Sequence, residues 1–245
     1  MINKKVSIIT VCYNSSRTIQ RTFESVLGQS YPEIEYLVID GRSTDGTVDI
    51  IKKYETLFQG RMRWVSEEDE GIYDAMNKGI AMASGELIGI INSDDYYEYN
   101  AVEIIKNEMT EERYQILYGA MRIWKNGMEE SVSILSHQFL KDRMIGHPSC
   151  FVTKAVYEDF GYYDTRYSSV ADYDFMLKMA ANKDVHFIPV YELIANFVSG
   201  GMCASDKAYM ELMEMRKAHG LISDCQYRKF RVENCICKIL RRLKR

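Results

Sequence analysis

The segment "IINSDDYYEYN", residues 90–100, runs an apolar stretch into Asn92, Ser93, Asp94 and Asp95. Two adjacent carboxylates repel each other, and a bound divalent cation is one way to offset that repulsion. Hard oxygen donors with no His or Cys cluster nearby favour Mg2+ or Mn2+ over zinc, with a phosphate ester as the natural remaining ligand. The same residue types also end strands and open turns with no ligand at all. Asp40 closes a second apolar run, "IEYLVID", where an acid holds a ribose hydroxyl in dinucleotide folds. No G-x-G-x-x-G follows the first apolar run, where "TVCYNSS" stands, and G-x-x-x-x-G-K-S/T does not occur. Both facts count against NAD, FAD, S-adenosylmethionine and P-loop proteins. A nucleotide whose phosphates are held by a metal is compatible with them. Asp172, in "VADYDF", is a third acid, at a place where capping a helix or facing its dipole is the ordinary role.

These residues need elements to hold them. Val6 to Val11 is a β-branched run, as in a strand buried on both faces of a parallel sheet. It predicts a helix next, opened by Ser15 or Ser16, with Ile19, Phe23, Val26 and Leu27 on one face. Further strands are expected at 34–40, 62–66 and 86–91, separated by helices bearing Val48, Ile51 and Tyr54, then Ile72, Ala75, Met76 and Ile80. Such alternation means a mostly parallel sheet with right-handed crossovers, whose ligands bind beyond the carboxyl ends of the strands. Tyr13 and Asn14, Asp40, and the Asn92 to Asp95 group all fall at those ends, so three loops should build one site. Asn100 should cap a helix ahead of a strand at 115–121. Asn126-Gly127 signals a hairpin, which breaks the parallel pattern. A helix should start near Ala171 or Asp172, followed by a strand at 185–190, a glycine-bearing loop at 196–202, and helix from Ser205 onward.

With 245 residues, 47% of them hydrophobic, the chain can bury the core of one large α/β domain, and three prolines with no Gly, Ser or Pro-rich stretch leave no linker. The expected organisation is a part of regular strand and helix alternation at 1–120, a part where that alternation is broken at 121–204, and a helical tail at 205–245. Six scattered cysteines lack paired spacing and read as reduced structural thiols. The start "MINKKVSIITVCYN" suits neither a signal peptide nor a spanning helix, which predicts a cytoplasmic protein. Residues 226–245 carry eight basic side chains against Glu233, a charge of +7, which leaves −11 for the remainder of a chain of net charge −4. An acidic body argues against nucleic acid as a partner. The tail, with Val232, Cys235, Ile236, Ile239, Leu240 and Leu243 among its arginines and lysines, reads as a helix on an anionic membrane surface.

Taken together, "VSIITVCYNSSRTIQRTFESVLGQSYPEIEYLVIDGRSTDGT", "GIYDAMNKGIAMASGELIGIINSDD" and "ADYDFMLKM" resemble the family 2 glycosyltransferases, an inverting group with the GT-A fold. The likeness covers roughly residues 5 to 200, and "GIYDAMNKG" resembles the branch that builds bacterial exopolysaccharide, capsule and lipopolysaccharide. It implies that Thr10, Tyr13, Asn14 and Asp40 hold the base and ribose of a nucleoside-diphosphate-sugar, a UDP-sugar foremost. Asn92-Ser93-Asp94 takes the Asp-x-Asp place, so Asp94 would bind Mn2+ or Mg2+ and Asp95 would support it or touch the donor sugar. Asp172 would be the general base toward a glycan or polyprenyl-linked acceptor. Gly200 and Gly201 would fold over the diphosphate, and His147 could line the acceptor pocket, although a turn residue ahead of a strand is an equal reading. Three positions depart from the pattern: Asn92 replaces the first aspartate, Ala171 stands where Glu often precedes the base, and Met76 stands where many relatives have Arg, leaving Lys78 for phosphate. Rival expectations are a sugar nucleotidyltransferase, which would need a glycine-rich basic loop after the first strand, and a non-catalytic nucleotide-sugar-binding scaffold.

Overall fold

The computed structural model describes residues 5–199 and 206–243, apart from the side chains of residue 206 and of 235–243. Val6–Cys12 (β1) is buried at every position and pairs in parallel with Ile34–Asp40 (β2) on one side and Leu87–Ile90 (β4) on the other. Met62–Ser66 (β3) adds to the outer edge of β2, also in parallel. Ile19–Leu27 (α1), Thr47–Leu57 (α2) and Ile72–Met82 (α3) are the crossovers. Helix α3 seats deeply on the sheet. A Cβ at Gly79 would stand 2.5 Å from Ile9 Cγ2 and 3.3 Å from Ile39 Cγ1, so the close approach depends on glycine.

Beyond β4 the alternation gives way to Tyr96–Tyr97 (β5), Ala101–Asn107 (α4), Gln115–Lys125 (β6), Met128–Ser133 (β7), Cys150–Thr153 (β8), Lys154–Phe160 (α5), Ala171–Ala181 (α6) and His186–Val198 (β9). The spatial order is β3-β2-β1-β4-β8-β6-β9-β5, with β7 paired to β6. Strand β8 is antiparallel to both β4 and β6, β9 is parallel to β6, and β5 is antiparallel to β9. The predicted hairpin joins β6 to β7, with Asn126 and Gly127 at φ of 51° and 76°, the positive values that a tight primed turn requires.

Several elements differ from the sequence reading, among them β6, which runs four residues past 121, and β5 and α5, which it does not contain. Strand β9 continues to Val198, where a loop was expected from Asn196, because its pairing with β6 runs on to Trp124 and Val198. Helix α1 begins at Ile19 after Thr18; the Ser15 carbonyl instead receives the Thr18 and Ile19 amides in the turn before it. The C-terminal region is two helices, Asp206–Ala218 (α7) and Asp224–Leu243 (α8), broken at Gly220 with φ 66°.

Helices cover both faces of the sheet. One layer buries Ile9, Leu37, Met76, Ile80, Phe175 and Met215, and the other buries Phe23, Tyr36, Ile51, Tyr54 and Ile105. Each such side chain contributes roughly 1.5–3 kcal/mol on burial. Met215 brings α7 into the first layer, while α8 packs on α7 through the Tyr209 and Phe230 rings, 5.2 Å apart. Among the described residues no helix is long and apolar enough to cross a membrane.

Candidate active site

Strands β1, β2 and β4 end side by side, with Cys12 opposite Asp40 and Ile9 opposite Ile90. The loop after β1 is fastened to the loop after β2 by hydrogen bonds in both directions. Asn14, at φ 49°, receives the Thr44 amide on Oδ1 (2.9 Å) and gives its own amide to Ser43 Oγ (2.8 Å). The Ser15 amide donates to Thr47 Oγ1 (2.8 Å), and the Ser16 amide to Asp45 Oδ2 (3.0 Å). Ser15 Oγ then meets Ser93 Oγ at 2.8 Å, which joins the loop after β4 to the other two. Tyr13 stands 67% exposed over Gly41, the most open aromatic surface of these loops.

Asp40 is fully buried at the centre of this arrangement. Its carboxylate receives the Ser43 amide (3.0 Å) and hydroxyl, the Ser66 hydroxyl (2.6 Å) and the Cys12 thiol (3.6 Å). Burial and then the Asp40 charge push the Cys12 thiol far up, so this cysteine stays protonated and structural.

The Asn92 to Asp95 loop is different, because its buried oxygens are not all used. Asn92 Oδ1 and Asp95 Oδ2 are buried with no hydrogen-bond partner, an arrangement that is costly unless something else satisfies them. Asp95 Oδ1 receives the Val198 amide (2.9 Å), and the Asp95 carbonyl receives Thr22 Oγ1 (2.7 Å). Burial raises the Asp94 carboxyl, against the pull of Arg21, whose guanidinium donates to the Asp94 carbonyl (3.3 Å) and lies over the Tyr96 ring at 4.1 Å. Burial and the neighbouring Asp94 charge push Asp95 well above its ordinary value. Two carboxylates and an amide oxygen held in this way fit a hard divalent cation that would offset their repulsion. Among the described residues no cluster of three His, Cys, Asp or Glu side chains encloses a metal by itself.

Asp95 has a measurable consequence for stability. A carboxyl whose folded-state pKa exceeds its unfolded value binds protons more tightly when folded, so it lowers stability as pH rises from its ordinary value of 3.8 through the raised one. Asp95→Asn removes that dependence. Melting curves from about pH 4 upward without divalent ions should show the variant gaining on the parent as pH rises above the ordinary carboxyl value, with a slope of up to about 1.4 kcal/mol per pH unit. Parallel curves would reject the buried, unpaired carboxylate.

Asp172 lies in the first turn of α6, half-buried. Tyr73 Oη donates to its Oδ1 at 2.7 Å, and the Tyr173 amide donates to the same oxygen at 2.9 Å. Tyr73 comes from α3, whose Asn77 clamps the Tyr163 backbone through both amide atoms (2.9 and 3.0 Å). His147 Nε2 stands 3.3 Å from Tyr163 Oη; burial lowers its imidazole, opposed by the Asp172 charge, which places the ring in the field of that carboxylate.

Thr10 and Lys78 have partners within the protein itself. Thr10 is fully buried and its hydroxyl receives Tyr36 Oη (2.9 Å), so it serves the core below the loops. Lys78 Nζ is engaged by Asp69 (2.7 Å), Glu67 (3.1 Å) and Asp74 (3.1 Å). Burial opposes its charge, yet those three carboxylates carry its pKa upward, and it functions here as their counter-ion. Gly200 and Gly201 lie outside the described residues. Sequence reading missed Ser15 and Arg21 as parts of the site, and it missed Tyr73, whose partner lies 99 residues along the chain; no local pattern marks such a pair.

Residues 7–160 match the family model "Glycosyl transferase family 2". Rv1514c of Mycobacterium tuberculosis, named an uncharacterized glycosyltransferase, is 32% identical over 71% of this chain and 68% of its own. TuaG of Bacillus subtilis, named for teichuronic acid biosynthesis, is 38% identical over 40% of this chain and 39% of its own. The structure of S. aureus TarS 1-349 in complex with UDP-GlcNAc superposes at a TM-score of 0.72 with 20% identity, covering 90% of this chain and 67% of that one. The chain spans 40% of the longer TarS structure. The mannosyltransferase PcManGT from Pyrobaculum calidifontis, in complex with GDP-Man and Mn2+, superposes at 0.60 with 18% identity, over 88% of this chain and 61% of its own. The mixed sheet with helices on both faces is the GT-A fold that the resemblance implied.

Proposed function

Because this chain belongs to glycosyl transferase family 2, we propose that it moves a sugar, with inversion, from a nucleoside-diphosphate-sugar to a hydroxyl of a glycan or lipid-linked acceptor in surface polysaccharide assembly. The observation that carries this reading is the pair of orphaned buried oxygens, Asn92 Oδ1 and Asp95 Oδ2, on the loop that takes the family's Asp-x-Asp place. The UDP-GlcNAc and GDP-Man complexes of the two structural neighbours support a nucleotide-sugar donor, and the Mn2+ in one supports a metal. The name of TuaG supports a wall-polysaccharide setting.

Asp94 would hold Mn2+ or Mg2+, with Asn92 Oδ1 and Asp95 beside it. The cation, when bound, supplies positive charge against the diphosphate. Tyr13, Asn14 and Asp40 border the place for the base and ribose. Oδ1 of Asp172 already receives two donors, which leaves Oδ2 for the acceptor hydroxyl. Oδ2 takes the hydroxyl proton as the acceptor oxygen attacks the anomeric carbon. The bond from that carbon to the diphosphate oxygen breaks, and the nucleoside diphosphate leaves with the electron pair.

A thermal-shift screen of UDP-GlcNAc, UDP-glucose, UDP-galactose and GDP-mannose, with and without Mn2+, tests the reading. A donor at 100 times its Kd should stabilise the fold by about 2.7 kcal/mol, and only with the metal. Failure of all four to raise the melting temperature in Mn2+ counts against it, and binding without release of nucleoside diphosphate over a wide acceptor panel favours a non-catalytic scaffold.

The +7 segment at 226–245 reaches Leu243 as the single helix α8, with Val232 exposed on it. This supports attachment to an anionic membrane surface, on the cytoplasmic face of the plasma membrane where a polyprenyl-linked acceptor would reside. The protein should float with anionic liposomes, and a chain lacking 226–245 should not. Equal flotation of both removes the idea.

A further inference from the structure

Two polar contacts from the α7 region hold the segment that carries Asp172, one on each side of it. Upstream, the Glu211 carboxylate receives the amides of Ser168 and Ser169, both at 2.9 Å to Oε2, and the Ser168 hydroxyl at 2.6 Å to Oε1. Downstream, His219 Nε2, just past the end of α7, lies 2.8 Å from Asp174 Oδ1, while Lys178 takes the other oxygen at 2.6 Å. Glu211 is only 9% exposed, and its cationic neighbour Lys207 is 3.8 Å away. A carboxylate is costly to bury, and here its compensation comes chiefly from the backbone that leads into α6. Met215, fully buried between the two contacts, fixes α7 against the core.

We infer that Glu211 and His219 are positioning residues for Asp172, so that α7 belongs to the transfer site although it lies beyond the family match at 7–160. The inference rests on Asp172 being the base. Tyr73 fixes the rotation of the carboxylate, whereas the path of residues 168–174 fixes where it stands, and an error of about 1 Å in such placement can cost about 10²-fold in rate. Glu211 reaches neither donor nor acceptor in this scheme and acts through the backbone.

The test uses the full chain with Mn2+ and whichever of the four nucleotide-sugars gives the thermal shift, reading nucleoside diphosphate release. Glu211→Ala should lower kcat about 10- to 100-fold with donor KM within about 2-fold, and should speed amide exchange at Ser168 and Ser169. Glu211→Gln keeps an acceptor oxygen and should recover most of the loss. An unchanged kcat in Glu211→Ala, or a loss lodged in KM, overturns the inference. Should Glu211→Ala fail to fold, His219→Ala carries the same expectation and the same refutation. An active Asp172→Asn enzyme removes the base and the inference with it. An inactive one beside normal Glu211→Ala and His219→Ala enzymes overturns the inference alone.

Discussion

Asp172→Asn is expected to lower turnover about 10²- to 10⁴-fold while the nucleotide-sugar still binds close to its parent affinity. The substitution is nearly isosteric, and the retained Oδ1 can still receive Tyr73 Oη and the Tyr173 amide, so the first turn of α6 should keep its place. What is lost is confined to the other atom. An amide nitrogen at that place cannot take the proton of an acceptor hydroxyl, and no step before proton transfer should notice. Donor Kd by titration and kcat from nucleoside diphosphate release separate the two effects. Near-normal turnover would move the base elsewhere, and His147 would be next in line. Its imidazole is held low by burial and stands in the electrostatic field of Asp172.

Asp94→Ala should have the other large effect, a fall of about 10²- to 10³-fold in turnover, as for removal of a preorganised electrostatic stabiliser. The thermal shift given by the donor should also cease to depend on Mn2+. Asn92 sharpens this expectation. A carboxylate there would add a third charge beside Asp94 and Asp95, whose acids burial already raises. The amide offers an oxygen without that repulsion, and so would leave Asp94 as the principal charged ligand of a bound cation. Retention of Mn2+ dependence in Asp94→Ala would assign the cation to Asp95, whose second oxygen is buried and unpartnered.

The first 100 residues were largely legible because their signals are local. A run rich in β-branched residues such as Val6 to Val11 suits a strand covered on both sides, and helical spacing of Ile19, Phe23 and Val26 suits a crossover. Loop chemistry at Asp40 and Asn92 then follows from where parallel strands must end. The composition of "NFVSGG" suggests a loop, whereas pairing with β6 and β5 carries strand β9 through to Val198. The motif around Lys78 points toward phosphate, whereas three carboxylates converge on it in space.

Alternation, period and turn chemistry act over a few residues, and they are enough to set the class of fold, the three loops and the acids that end them. Tertiary structure alone decided which of those acids are satisfied and which are not: Asp40 is saturated by Ser43 and Ser66, while Asp95 keeps a bare buried oxygen. It also decided what orients Asp172, through Tyr73 and through Glu211 and His219. Such contacts join residues far apart along the chain, and only packing of the layers sets the distances on which hydrogen bonds and buried charge depend.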